Sequence, residues 1–221
     1  MSNETIRIGL IGAGGNTTAR HIPGFQQQAG IELAAVANRT RASGQRVADE
    51  FAIPKVHDNW RALLDDDSID AVCIGTWPYM HAPLTISALE AGKHVLCEAR
   101  MAMDHAEACA MRDVALRHPG LVAQIVPAPH TLAFDRTIVD MIAAGAIGEL
   151  ITIDARIAAS RNYPDASPRQ HWRQNRTLSG DNVMNMGIWY EAMMRWVGPA
   201  KSVMALGRCV VPHRLDAVSY T

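Results

Sequence analysis

The sequence has almost no net charge, no paired cysteine motif and no long apolar run. The formal net charge is -1 in 221 residues, so charge does not favour nucleic acid or an anionic membrane as a partner. The four cysteines form no CxxC pair and the nine histidines show no ligand spacing, so we predict no metal site and no redox dithiol. The chain starts without the basic and apolar regions of a signal peptide, and no segment could span a bilayer. These absences predict a cytoplasmic protein.

Short apolar strands alternate with helical patterns through the first half of the chain. The strands are predicted over residues 6–11, 31–37, 71–75, 94–97 and 122–126. The helices are predicted over residues 17–28, 41–51, 82–89 and 105–116, and Thr40 is a suitable N-cap for the second of them. This alternation is typical of an α/β domain whose parallel sheet is covered on both faces.

Pro127 and Pro129 interrupt the alternation, so we place a domain boundary there and expect domains over 1–127 and 128–221. In the second domain, Phe134, Ile138 and Met141 lie on one face of a predicted helix. A second helix is predicted over 186–197. Strands are predicted over 150–157 and 203–211, with a polar, irregular segment over 160–181 between the first strand and the second helix.

A glycine loop stands between the first strand and the first helix. Glycines there allow a tight turn and close approach of the backbone to a pyrophosphate, which the helix N-terminus also attracts. The strand-loop-helix context favours a Rossmann-type dinucleotide site over a glycine turn without a ligand. Thr17 occupies the position of the usual third glycine. The predicted cofactor contacts of this loop are Gly12, Gly14, Gly15, Asn16 and Thr17.

Asn38 and Arg39 end the second predicted strand, where an NAD-binding site usually has an acid that binds the ribose 2′-OH. A neutral amide does not repel a 2′-phosphate, and a guanidinium attracts it. We therefore predict NADP as the cofactor, with NAD as the alternative if Arg39 is only a solvated residue at the strand end.

Four stretches carry a resemblance to a known family: GLIGAGG, SIDAVCIGTWPYMHAPLTISALEAGKHVLCEA, AAGAIGELITI and, more weakly, WR with SGDNVMNMGIWYEAMMRWVG. The chain resembles the glucose-fructose oxidoreductase/inositol dehydrogenase (Gfo/Idh/MocA) family of NAD(P)-dependent oxidoreductases over nearly its whole length. The resemblance implies a second domain with an open, mostly antiparallel sheet that carries the substrate site. It also implies a homo-oligomer formed through that sheet.

The resemblance places further residues at the cofactor. Thr76 and Trp77 would border the nicotinamide ribose, His81 would begin the next helix nearby, and Glu98 would face the ribose. Thr76 and Glu98 also follow predicted strands, and ligands of open parallel sheets bind beyond the carboxyl ends of the strands.

The sequence departs from the family where protons are handled. The family's Glu-Lys-Pro signature reads Glu98-Ala99-Arg100, and alanine can neither transfer a proton nor polarise an oxygen. Arg100 supplies charge but is a poor base, since its pKa stays above about 12. In the later motif, Asn185 replaces an aspartate and Trp189 replaces the usual histidine. Loss of general acid–base help costs about 10²–10⁴-fold in rate unless another group replaces it.

Our catalytic candidates are Glu98, Arg100 and Tyr190, and our substrate-binding candidates are Arg173, Asn185 and Trp189. Tyr190 could donate a proton into the pocket or only pack against the sheet. Arg173 could line the substrate pocket or belong to a loop that its neighbouring tryptophan anchors.

Too few strands follow residue 211 to complete the expected sheet, so we expect a fragment, a truncated product or a half that needs a partner. Three functions remain open. The first, which we favour, is an NAD(P)-dependent oxidoreductase acting on a sugar, polyol or related hydroxy/keto compound. The second is a lyase or hydratase that retains the dinucleotide, and the third is a catalytically inactive dinucleotide-binding sensor or partner subunit.

Overall fold

The computed structural model describes residues 5–157, 169–180 and 184–215. The chain divides into two compact units. The first contains Met1–Val126 with Thr177–Asp181, and the second contains Pro127–Arg176 with Asn182–Thr221. The short return of residues 177–181 to the first unit was not expected from the sequence.

The first unit is built on a six-stranded sheet in the order β3-β2-β1-β4-β5-β6, with every neighbouring pair parallel. The strands are β1 Ile6–Ile11, β2 Ile31–Ala37, β3 Lys55–Val56, β4 Ala71–Ile74, β5 His94–Cys97 and β6 Ala123–Ile125. The predicted parallel α/β class is confirmed for this unit. Edge strand β3 was not predicted, because two residues are too few to show a hydrophobic pattern.

Helices cross over between the strands. A π-helical turn, Thr17–His21, continues into α1, Ile22–Gln26, and the other helices are α2 Arg41–Phe51, α3 Trp60–Leu64, α4 His81–Glu90 and α5 His105–Arg117. Thr40, Asn59 and Asp104 cap α2, α3 and α5 through side-chain oxygens that accept backbone N–H bonds. The predicted N-cap at Thr40 is therefore confirmed, and these caps set where the helices begin.

Apolar side chains pack on both faces of this sheet. Leu10 and Cys73 belong to one buried cluster, while their chain neighbours Ile11 and Ile74 belong to the other. Successive side chains of a strand point to opposite faces, so the two clusters lie on opposite sides of the sheet. Each large side chain buried in this way contributes about 1.5–3 kcal/mol to folding.

The second unit contains helix α6, Asp135–Ala143, and helix α8, Met184–Val197, which contact each other. Asp135 joins them, because its carboxylate accepts bonds from Arg195 Nε at 2.7 Å and from Trp196 Nε1 at 2.6 Å. Between them lie a 3-10 turn, Trp172–Gln174, and helix α7, Arg176–Ser179, whose last three residues belong to the first unit. The predicted helix over 186–197 is confirmed and begins slightly earlier.

The two strands predicted in the second unit are not observed. Residues 150–157 and 203–211 contain no strand, and the described part of this unit has a single isolated bridge, Arg169 with Leu215. Ile151 is 90% exposed and Leu206 103% exposed. Alternating apolar residues indicate which face of a strand could be buried, but a strand also needs a neighbour for its N–H and C=O groups. The predicted antiparallel sheet is thus not observed among the described residues.

No helix within the described ranges is both long and apolar enough to cross a membrane.

Candidate functional site

Four loops meet where the central strands end. Ile11 lies opposite Ala37 and Ile74, and Ile74 lies opposite Cys97. The residues that follow these strand ends, Gly12, Asn38, Gly75 and Glu98, therefore stand side by side along one edge of the sheet. This is the edge at which open parallel sheets bind ligands, and it gathers most of the cofactor contacts predicted in the first domain.

Gly12 makes the sharp turn that begins the loop. Its φ is +79°, a conformation that favours glycine, and a Cβ there would collide with the side chain and backbone of Thr76. The loop is tied to β2 because Gly12 N donates to Ala37 O at 2.9 Å and Ala13 N donates to Asn38 Oδ1 at 2.7 Å. Gly12 therefore allows both the turn and the close approach of β1 to the loop after β4.

Thr17 replaces the usual third glycine without losing close packing. Its side chain is 2% exposed, and it fits because residue 75 opposite has no side chain. A Cβ at Gly75 would collide with Thr17 Oγ1 and would lie 2.8 Å from Gly12 O. Gly75, directly after β4, is the sequence signal for this exchange, and the spacing of the glycine motif alone does not indicate it.

Asn38 serves the loop rather than projecting its carbonyl towards a ribose. Its Oδ1 is the acceptor for Ala13 N, so the amide holds the glycine loop in place. Arg39 next to it is exposed. A guanidinium beyond the end of β2 has the charge and geometry to bind a phosphate bidentately.

The Glu98 carboxylate has three hydrogen-bonding neighbours at this edge. Asn16 Nδ2 donates to its Oε1, His21 Nε2 lies 2.5 Å from the same oxygen, and Ala99 N donates to Oε2 at 3.0 Å. Burial by itself raises the pKa of the Glu98 carboxyl, but these hydrogen bonds outweigh it and hold the pKa below its ordinary value. Glu98 is therefore a fixed carboxylate, suited to accept hydrogen bonds rather than to donate a proton.

His81 lies inside the unit instead of at its surface. It is 1% exposed, and its Nδ1 lies 2.7 Å from Arg100 O while its Nε2 lies 2.9 Å from Thr76 O. Burial lowers the pKa of His81, although both carbonyl contacts oppose that shift. His81 thus joins the loops after β4 and β5. Beside it, the buried Thr76 Oγ1 has no hydrogen-bond partner among the described residues.

Arg100 is tied to the segment that returns from later in the chain. Its Nη1 and Nη2 donate to Ser179 O at 3.3 Å and to Ser179 Oγ at 3.2 Å. Gly180 follows with a φ of +61°, and a Cβ there would collide with the carbonyl of Met103. The guanidinium therefore fixes a turn, and this contact was not visible in the sequence because 79 residues separate its partners.

The candidates in the second unit have defined surroundings. The Trp189 ring stacks on His130 with centroids 5.5 Å apart and an interplanar angle of 14°. Tyr190 is 41% exposed. The guanidinium of Arg173 lies 4.2 Å from the centre of the Trp172 ring, as expected if the tryptophan anchors this loop. The side chain of Asn185 lies outside the described residues.

The strand order and the glycine loop define a class, the Rossmann-type dinucleotide-binding fold. Residues 6–124 match the model of the GFO/IDH/MocA oxidoreductase family with its NAD-binding Rossmann fold, and residues 136–220 match the GFO/IDH/MocA C-terminal domain. The chain belongs to the Gfo/Idh/MocA oxidoreductase family, and the resemblance seen in the sequence is confirmed.

Curated relatives include sugar reductases. The chain is 34% identical over 179 residues to a 1,5-anhydro-D-fructose reductase of Ensifer adhaerens, covering 80% of this chain and 52% of that protein. It is 30% identical over 186 residues to a dTDP-3,4-didehydro-2,6-dideoxy-alpha-D-glucose 3-reductase of Streptomyces violaceoruber, covering 84% and 52%. The chain thus spans about half the length of these relatives.

Solved structures show the same fold. A 3-ketoreductase from Actinomadura kijaniata in complex with TDP-benzene and NADP matches with a TM-score of 0.60 and 31% identity, over 66% of this chain and 46% of that one. A scyllo-inositol dehydrogenase from Lactobacillus casei without ligand matches with a TM-score of 0.61 and 25% identity, over 67% and 44%.

Proposed function

We propose that this chain is an NAD(P)-dependent oxidoreductase of the Gfo/Idh/MocA type that acts on a sugar, polyol or related hydroxy/keto compound. The observation that carries the proposal is the alignment of the glycine loop, Thr76 and Glu98 along one edge of a parallel sheet. In this family that edge belongs to an NAD-binding Rossmann fold, and a similar 3-ketoreductase is a complex with NADP.

The residues at the edge fit a dinucleotide. Backbone N–H groups of residues 15–17, at the start of the helical segment, would bind the pyrophosphate, and Gly14, whose N–H donates to Gly12 O at 2.8 Å, would let the backbone come close to it. Arg39 would bind the 2′-phosphate of NADP. Glu98 would accept a hydrogen bond from a ribose hydroxyl, and Trp77 would border that ribose. The buried Thr76 hydroxyl, which has no hydrogen-bond partner among the described residues, would bond to the cofactor. When bound, the dinucleotide supplies the hydride. NADP is the proposed cofactor and NAD the alternative.

Proton transfer needs a group other than the family lysine. Ala99 has no proton to give, Glu98 is held ionised, and Arg100 is bonded to Ser179. We assign the proton to the Tyr190 phenol, which is exposed on α8. Arg173, Asn185 and Trp189 are the proposed contacts to the substrate, and Arg100 takes a structural role.

The second unit is proposed to complete a substrate domain over residues 128–221. Residues 150–157 and 203–211 would become strands of an open, mostly antiparallel sheet when they gain neighbours, and that sheet would form the contact between subunits of a homo-oligomer. The exposed apolar side chains of both segments support this proposal, because a paired sheet would bury them. The proposed location of the protein is the cytoplasm.

The replacement of the family's lysine and histidine by Ala99 and Trp189 favours a second candidate function. The chain could retain the dinucleotide for a lyase or hydratase reaction without net redox change, or bind it as an inactive sensor or partner subunit. Net oxidation of NADPH by a keto sugar distinguishes the first function from both alternatives.

The first experiment is a titration with NADPH and NADH, read by energy transfer from tryptophan to nicotinamide. Micromolar binding with NADPH preferred is expected, followed by loss of NADPH absorbance when a panel of keto sugars is added. If neither cofactor binds, the oxidoreductase proposal is withdrawn. If NADPH binds but no sugar or polyol turns it over, the sensor or lyase alternatives replace it.

A further inference from the structure

His21 is a partly buried partner of Glu98 that no sequence motif indicated. Its Nε2 lies 2.5 Å from Glu98 Oε1, and both side chains are 14% exposed. The His21 ring also stacks on Phe25, with centroids 6.3 Å apart. The imidazole is thus held from one side by an aromatic ring and directed at a carboxylate on the other.

The π-helical turn determines where His21 points. Ile22 N donates to Thr17 O, five residues back, whereas in an α-helix it would donate to Thr18 O. His21 is the last residue of this turn, and the wider π-helical geometry places its side chain at a different angle around the axis than a regular α-helix would. Since the glycine loop fixes the start of the segment, with Thr18 N bonded to Gly14 O at 2.9 Å, this angle sets the direction of His21.

His21 gives Glu98 a side-chain partner at a site where the family lysine is missing. The residue after Glu98 is Ala99, so the cation that the family lysine would bring is absent. Burial raises the pKa of the Cys73 and Cys97 thiols to about 12, so both are neutral near pH 7. The nearby cation Arg100 donates to Ser179, and both ring nitrogens of His81 face backbone carbonyls. Asn16 and the Ala99 amide add donors without charge.

We infer that His21 is a positioning residue, which fixes Glu98 as an oriented carboxylate so that it can accept a hydrogen bond from the ribose of the bound dinucleotide. The inference rests on the proposed function, because it places the cofactor at this edge of the sheet. His21 acts through Glu98 and makes no contact of its own with the reacting atoms.

A double-mutant cycle tests this role. NADPH affinity is measured for the wild type, His21→Leu, Glu98→Gln and the double variant, each first checked for folding by far-UV circular dichroism. A lost charge-assisted hydrogen bond corresponds to about 10-fold weaker binding for His21→Leu in the wild-type background. In the Glu98→Gln background the same change should cost less than about 2-fold, because the group through which His21 acts is gone.

Two further variants separate orientation from general damage. His21→Gln keeps a donor near the position of Nε2 and should recover most of the affinity. His118→Asn changes a histidine at the end of α5, away from this edge, and should leave NADPH affinity unchanged. Equal losses from His21→Leu in both Glu98 backgrounds, or no loss in either, would overturn the inference.

A measurement on the unliganded protein distinguishes failure of this inference from failure of the proposed function. A ¹³C NMR titration of the Glu98 carboxyl should give a pKa below the ordinary value in the wild type. In His21→Leu the pKa should rise, because burial then dominates. An unchanged carboxyl pKa contradicts the pairing itself. A wild type that shows the shift but binds neither NADPH nor NADH overturns the proposed function, and the cofactor role of His21 with it.

Discussion

The glycine loop has room for a side chain at residue 17 because residue 75, which packs against it, is a glycine. Thr17 carries the side chain that the usual third glycine would lack, and Gly75 lacks the one that would collide with it. The motif requires the helix to pack closely on the strand. Gly75, 58 positions further along the chain, is the residue that allows this packing. A motif search by spacing alone undervalues such a site.

Gly75→Ala is expected to lower the free energy of unfolding by about 1–3 kcal/mol, because its methyl group overpacks against Thr17. Adding Thr17→Gly should restore part of this loss, and urea unfolding measures both changes. Gly24→Ala is the matched control, since nothing lies within 4 Å of its Cβ position and it should be neutral or slightly stabilising. Additive effects at residues 17 and 75 would contradict the exchange.

Two substitutions of Asn38 distinguish the effect of charge on NADPH binding from the support that Asn38 gives to the glycine loop. Asn38→Asp keeps an acceptor for Ala13 N but places a negative charge near the 2′-phosphate, so NADPH affinity should fall about 10-fold with NADH affinity unchanged. Asn38→Ala removes the acceptor and should weaken both cofactors. The fluorescence titration measures both ratios, and a selective loss of NADPH in the alanine variant would argue against this division of roles.

The shortest strand of the sheet is held by a carboxylate outside it. Lys55 Nζ in β3 lies 3.0 Å from Asp66 Oδ2, His57 Nε2 lies 3.2 Å from the same oxygen, and Ser68 Oγ donates to Oδ1. Lys93 Nζ donates to the Asp66 carbonyl oxygen at 3.0 Å. Hydrogen bonds from Ser68 and Lys55 hold the pKa of Asp66 well below its usual range.

This cluster predicts acid sensitivity of the edge of the sheet. Because folding lowers the pKa of Asp66, its stabilisation is complete above the unfolded value of about 4 and is lost as the pH falls below that value. Urea unfolding between about pH 7 and pH 2 should show this loss, and Asp66→Asn should flatten the curve. Asp113→Asn, at an exposed pair with Arg112, serves as control and should leave the slope unchanged.

Among the helices and strands, the sequence predicted those that a local pattern of apolar or capping residues determines. The β1, β2, β4 and β5 strands are apolar runs, and Thr40 marks a helix start, so these features followed from periodicity and capping. The π-helical turn leaves no pattern, and the partners His21–Glu98 and Arg100–Ser179 are far apart in sequence. The strands predicted over 150–157 and 203–211 are not observed. Their alternating apolar residues are a local pattern, whereas the strand pairing that they need is not local.

For the whole molecule, the exposed apolar segments of the second unit predict association. Ile151, Met204 and Leu206 are almost fully exposed, and such side chains tend to be buried against another chain. Sedimentation velocity should show concentration-dependent oligomers, and Ile151→Lys with Leu206→Lys should shift them towards monomer. Lys201→Glu, an exposed change outside the predicted strands, is the control. A monomer at all concentrations would count against the proposed subunit contact.

The bond between Arg100 and Ser179 has a consequence for modularity. The first unit is discontinuous in sequence: residues up to 126 and the short segment that contains Ser179 belong to one compact unit. A truncation after residue 126 would delete Ser179, to which Arg100 donates, and Gly180, which packs closely against the carbonyl of Met103. Gene fusion or recombination that transplants only the amino-terminal part would therefore lose the Arg100–Ser179 bonds, so the transferable unit of this fold is longer than its sheet.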